Sequence, residues 1–208
     1  MRKIRPSNED EMVFEFLKME INSDRYREQI EKILAEMQAD RAIVTNGDIK
    51  SKQQNILRSE ILRRFRGWRN EELFENFPEK IDWAWTEFEK EDMAKIFYIV
   101  YSYWDEISNY TGSPLEAAKE ILAGKTVFGE PTTAFIEIAQ KLKEGHKFAP
   151  MIFLTDEKKS RYIIVEGHAR MTAYGLAPEY FENIPVLLGC CDSAELNRWH
   201  GEMPEKPK

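Results

Sequence analysis

The chain has 208 residues, a formal net charge of −7 at pH 7, 42% hydrophobic residues and 32% charged residues. That length allows one large domain or two small ones, and the composition supplies a real core, so global disorder is excluded. A pI near 5.2 argues against a broadly basic nucleic-acid surface and leaves only a local patch for that role.

The opening residues, MRKIRPSNEDEM, carry positive charges without the apolar run of an export leader. Apolar stretches fall far short of the roughly 18 residues of a membrane helix, so no membrane partner is expected. The two cysteines, Cys190 and Cys191, are adjacent, and neighbouring cysteines rarely close an unstrained disulfide with each other. Two thiols fit a reducing compartment, and a cytoplasmic location is expected.

Residues 1–124 read as a helical region. Tyr26, Ile30, Ile33, Leu34 and Met37 recur at helical spacing, as do Ile96, Ile99, Val100, Tyr103 and Ile107. The aromatics Trp83, Trp85, Phe88, Phe97, Tyr98, Tyr103 and Trp104 are expected to build the core of that region. Ser113-Pro114-Leu115-Glu116 predicts a helix start with a capping box, and Gly124 its stop. The turn formers of GKTVFGEPTT then mark a boundary. Phe135, Ile138, Ala139 and Leu142 predict an amphipathic helix that ends at Gly145. APMIFLT, RYIIVE and IPVLLGCC read as strands, with DEKKS as the turn between the first two. The predicted class is α+β: a helical region over 1–124, a small mixed-sheet unit over 125–192, and a frayed tail over 193–208.

The chemistry concentrates in YIIVEGHARMTAYGL. A strand that ends in Gly167 and turns at once into a helix leaves backbone N–H groups free, and the helix dipole adds positive potential there. That is an anion site by construction. Gly167 allows close approach of a ligand. Arg170 can fork onto a phosphate or carboxylate, and His168 can donate a hydrogen bond or carry a proton. Ala169 and Ala173 are small enough for the helix to pack closely. The plain alternative is a surface turn with no ligand.

Residues 131–191 resemble the ParB/sulfiredoxin-like superfamily. The matching elements, in order, are the helix Phe135–Leu142, the strand Ala149–Leu154, the glycine-led G-x-x-R-x-x-A run Gly167–Ala173 and the strand Ile184–Leu188. The resemblance implies nucleotide handling, with the glycine turn as a phosphate cradle. Gly167 matches the motif glycine, Arg170 the phosphate-contacting arginine and Ala173 the small packing residue. Sulfiredoxins carry a catalytic cysteine after the glycine; His168 stands there, so that reaction is not expected. Partition ParB proteins carry a glutamate and two arginines after it; His168, Ala169 and Arg170 stand there, and the missing glutamate argues against CTP hydrolysis by that route. The serine-kinase branch keeps a histidine beside the glycine and is the nearest analogy.

The expectation is therefore a nucleotide-binding protein, either an ATP/CTP-dependent phosphotransferase or hydrolase or a non-catalytic regulatory or nucleic-acid-binding module. His168 and Glu166 are the catalytic candidates. Gly167, His168, Ala169, Arg170, Thr132 and Thr133 are the phosphate-binding candidates. Glu166 is also placed to hold Mg²⁺ through water, so a nucleoside triphosphate with Mg²⁺ is the expected cofactor. The scattered His146, His168 and His200 give no zinc pattern. Lys50–Arg69 is basic and interleaved with Phe65 and Trp68, so Arg63, Arg64, Arg66 and Arg69 are the nucleic-acid candidates. An amphipathic helix with a solvated face is the alternative for that segment.

Overall fold

The computed structural model describes residues 1–69, 71–201 and 205–206. A charged edge strand, β1 (Arg2–Pro6), opens the chain. Asn8 then caps α1 (Glu9–Glu20), its side chain accepting the Glu11 N–H at 2.9 Å. α2 (Arg27–Glu36) and the short α3 (Ala42–Thr45) lead to α4 (Lys52–Arg66), which Gly67 ends with a left-handed φ of 70°. β2 (Asp82–Phe88) and β3 (Ile96–Phe97) precede α5 (Ser102–Ile107) and α6 (Pro114–Leu122). A small hairpin, β4 (Thr126–Val127) and β5 (Glu130–Pro131), leads into α7 (Thr133–Lys143). The chain closes with β6 (Met151–Asp156), β7 (Tyr162–Glu166), α8 (His168–Leu176), β8 (Ile184–Cys191) and α9 (Ser193–His200).

Six strands form one mixed sheet in the order β1-β2-β8-β6-β7-β3. β8 runs parallel to β6 and β3 parallel to β7; the other pairs are antiparallel. The central strands are apolar on both faces because helices cover both. Alternate residues divide between two cores. Ile152, Leu154, Ile163, Val165 and Leu187 face α1, α2, α4 and α9 through Phe16, Leu17, Ile30, Leu62, Phe65 and Leu196. Met151, Phe153, Tyr162, Ile164, Val186 and Leu188 face α6, α7 and α8 through Ile121, Phe135, Ala139, Leu142, Met171 and Tyr174.

The α+β class and the strands of the C-terminal half stand as expected. The helical reading of residues 1–124 needs correction, because β1, β2 and β3 belong to the sheet and the sheet runs across the boundary at 124. Trp83 and Phe88 lie on β2 and enter opposite cores, so these aromatics build a strand rather than a helix. Ile96 and Phe97 pair in parallel with Tyr162 and Ile163, and the helix that follows begins only at Ser102. α6 starts where expected, but the Ser113 side chain makes no cap hydrogen bond and the capping box is absent. The tail is also corrected over 193–200. Asp192 caps α9, accepting the Ala194 and Glu195 N–H groups, and Leu196 is buried in the first core.

Candidate ligand cleft

The strand β7 ends at Glu166, and Gly167 makes the turn into α8 with φ 108°. The first bond of α8 runs from the Met171 N–H to the Gly167 carbonyl at 2.8 Å, and no side chain caps the helix. The N–H groups of the first turn are therefore left to solvent or a ligand. Gly167, His168 and Ala169 line a cavity of about 750 Å³, a size that suits a small organic ligand. A Cβ on Gly167 would fall 2.5 Å from Met151 Cγ, in a backbone conformation that costs an L-residue about 1–2 kcal/mol. Gly167→Ala is expected to lower stability by at least that amount, read from the urea midpoint; an unchanged midpoint would show that the turn has relaxed.

The opposite wall comes from the N-terminal half. It includes Glu20 at the end of α1, Arg25 and Tyr26 before α2, and Arg66 at the end of α4. Trp104 of α5 and Trp199 and His200 of α9 also line it. Trp104 stacks on His168 with ring centroids 5.0 Å apart, and Tyr98 stacks on Trp104 at 4.8 Å. Tyr98 is fully buried and its hydroxyl shares a 2.7 Å hydrogen bond with Thr172. These contacts hold the imidazole of His168 in one orientation. Its Nε2 is buried and has no hydrogen-bond partner among the described residues. Burial pushes the His168 pKa down to about 3, and the charges of Arg66 and Arg170 add to this. His168 is thus a neutral imidazole near pH 7.

Arg66 and Arg25 both place their guanidinium groups over Tyr26, each 4.9 Å from the ring centroid. Arg66 Nε is buried and has no acceptor among the described residues. Glu20 is buried too. Burial raises its carboxyl to a pKa of about 8, and the nearby charge of Glu166 adds to that rise against Arg66, Arg170 and Arg25.

The expected site residues divide. Gly167, His168 and Ala169 line the cleft, and Glu166 stands at its edge. Arg170 does not serve as an open phosphate contact. It donates to the carbonyls of Ala149 at 2.6 Å and Pro150 at 2.7 Å, and it pairs with Glu166. It acts as a clamp between the entry of β6 and the end of β7. Glu166 is spent on the same pair, and among the described residues no group of three or more His, Cys, Asp or Glu side chains is placed to hold a metal ion. The donor set does not fit the expected Mg²⁺. Ala173 is buried against the second core, as its size predicts.

Thr132 and Thr133 are corrected as well. Thr132 is buried and donates to the Lys125 carbonyl at 2.7 Å; Thr133 is exposed on α7, away from the cleft lining. The basic Lys50–Arg69 stretch is divided by the helix. Arg63 and Arg64 pair with Glu60 at 2.7 and 2.8 Å, Arg69 pairs with Glu9, and only Arg66 turns into the cleft. Phe65 and Trp68 are buried in the first core and offer no face to a base. Glu20, Arg25, Tyr26, Trp104, Trp199 and His200 escaped the sequence reading as site residues. They come from separate segments and share no local spacing.

No protein-family model, curated protein or solved structure matches the chain. Among the described residues, no helix is long and apolar enough to cross a membrane.

Proposed function

We propose that this protein binds a nucleotide in the cleft, with a phosphate on the first turn of α8. One observation carries the reading: the uncapped start of α8 and Arg66, whose Nε has no acceptor among the described residues, line the same cavity. Backbone N–H groups at a helix start together with a guanidinium are a common phosphate-binding set. Trp104, Tyr26 and Trp199 offer aromatic surface for a planar ring. The resemblance of residues 131–191 to the ParB/sulfiredoxin-like superfamily supports the same turn as the cradle. The phosphate's guanidinium comes from Arg66 instead of Arg170.

Isothermal titration with the nucleoside 5′-phosphates and with inorganic phosphate tests this. Arg66→Met keeps much of the aliphatic stem and removes the charge. It is expected to weaken nucleotide binding by roughly tenfold or more, since a charge-assisted hydrogen bond is worth about 1.5–3 kcal/mol. Arg64→Met removes an exposed arginine already paired to Glu60 and is expected to leave affinity unchanged. Absence of binding by every nucleotide at millimolar concentration would sink the reading.

A further inference from the structure

We infer that Arg25 and Arg66 together take the place of a divalent cation, so that the cleft binds a nucleotide through two linked phosphates without Mg²⁺. This deepens the nucleotide reading above and rests on it.

The two arginines come from different elements and meet on one side chain. Arg25 lies in the turn before α2 and Arg66 at the end of α4, and both line the cavity. Each guanidinium stands 4.9 Å from the centroid of the Tyr26 ring, so the two are no more than twice that distance apart. Stacking spends the face of a guanidinium and leaves its N–H edge for an acceptor. Arg66 is short of acceptors: its Nε has none among the described residues, and its Nη2 reaches the Tyr26 hydroxyl only at 3.5 Å. The Arg25 guanidinium lies over the same ring and enters no ion pair among the described residues. Their neighbours on the chain differ. Arg27 pairs with Asp24 at 3.0 Å, and Arg63 and Arg64 pair with Glu60.

The carboxylates of the cavity do not quench this pair. Glu166 is taken by Arg170, and Glu20, Glu72 and Glu75 form no ion pair with Arg25 or Arg66 among the described residues. Two guanidiniums held on one ring carry the same charge as Mg²⁺, in a fork geometry that matches phosphate oxygens. Mg²⁺ has no comparable seat. The carboxylate beside the turn is spent on Arg170, and among the described residues no group of three or more His, Cys, Asp or Glu side chains is placed to hold a metal ion. With the first phosphate on the start of α8 and Arg66, Arg25 is the cation left for the next one.

Isothermal titration of the full chain at pH 7 tests this, with the nucleoside 5′-mono- and diphosphates as probes, each in EDTA and in magnesium chloride. In EDTA a diphosphate is expected to bind roughly tenfold or more tighter than its monophosphate, the effect of one added charge-assisted contact. Magnesium should leave that affinity unchanged or weaken it, because the ion competes with the arginines for the same oxygens. Arg25→Met should cost roughly tenfold in diphosphate affinity and much less in monophosphate affinity. Tyr26→Leu should narrow the preference by releasing both guanidiniums, and Tyr26→Phe should restore most of it. Arg27→Met removes an arginine already paired to Asp24 and should leave both affinities as they are. A diphosphate whose affinity rises with magnesium, or that binds no tighter than its monophosphate in EDTA, would overturn the inference and leave the nucleotide reading in place. No binding by any probe in either buffer would remove the nucleotide reading itself, and this inference with it. If a variant fails to fold, the wild-type comparison in EDTA and magnesium still decides the question.

Discussion

Arg170→Ala is expected to destabilise the fold by roughly 3 kcal/mol, measured by urea denaturation at pH 7. The guanidinium is 16% exposed and its partner Glu166 is 13% exposed, so the pair is mostly shielded from water. Truncation strands the Glu166 carboxylate beside Glu20 and leaves the carbonyls of Ala149 and Pro150 without their donor. Unsatisfied groups of this kind cost more than the lost bonds contributed. Arg170→Lys should recover only part of the loss, since an ammonium cannot fork across a carboxylate and two carbonyls. Glu166→Gln in the Arg170→Ala background should recover part as well, by removing the stranded charge. A loss below about 1 kcal/mol would show that the clamp is dispensable and would return Arg170 to the phosphate role expected from its motif. Weaker ligand binding in Arg170→Ala is therefore uninformative unless the variant is shown to be folded.

The pH profile of stability is expected to have a plateau between about pH 4.5 and 6.5 and to fall on both sides. Glu20 titrates near 4.5 when unfolded and at about 8 when folded. The folded state then holds the extra proton between those values, so this contribution is complete below 4.5 and is lost as pH rises through 8. His168 titrates near 6.5 when unfolded and at about 3 when folded. There the unfolded state holds the extra proton, so that contribution is complete above 6.5 and is lost as pH falls through 3. Between 4.5 and 6.5 the two slopes oppose each other. Outside that window each fully coupled group changes stability by up to about 1.4 kcal/mol per pH unit. Asp105, raised by burial, adds a loss as pH rises above its unfolded value of 3.8, and His200, lowered by burial, adds a loss as pH falls below its unfolded value of 6.5. Urea midpoints from pH 3.5 to 9 check the shape. Glu20→Gln should flatten the limb above pH 6.5. Wild-type stability that rises steadily from pH 6.5 to 9 would refute the assignment of a proton to Glu20.

The sequence by itself determined the central strands β6, β7 and β8, the helices α6 and α7, and the glycine turn into α8. Each is a local signal: an apolar run bounded by turn formers, a helical apolar stripe, or a glycine where the backbone needs φ of 108°. Only the tertiary structure decided the rest. β1 is RKIRP, exposed along its whole length, and becomes a strand because β2 offers it an edge. β2 carries Trp83 and Phe88 into two different cores, a division that only the sheet defines. α9 has few apolar residues and is ordered by burying Leu196. The site follows the same rule. Gly167 is legible because its role is set by its own backbone, whereas the clamp made by Arg170 is not, because its partners are carbonyls some twenty residues earlier. Arg66 differs from Arg63 and Arg64 only in which face of α4 it occupies, and local composition does not say what that face meets. Glu20, Arg66, Trp104 and His200 become neighbours of the turn when two helical layers close on one sheet. Burial and proximity of that kind arise from contacts distant in sequence, and they set both the proton on Glu20 and the missing one on His168.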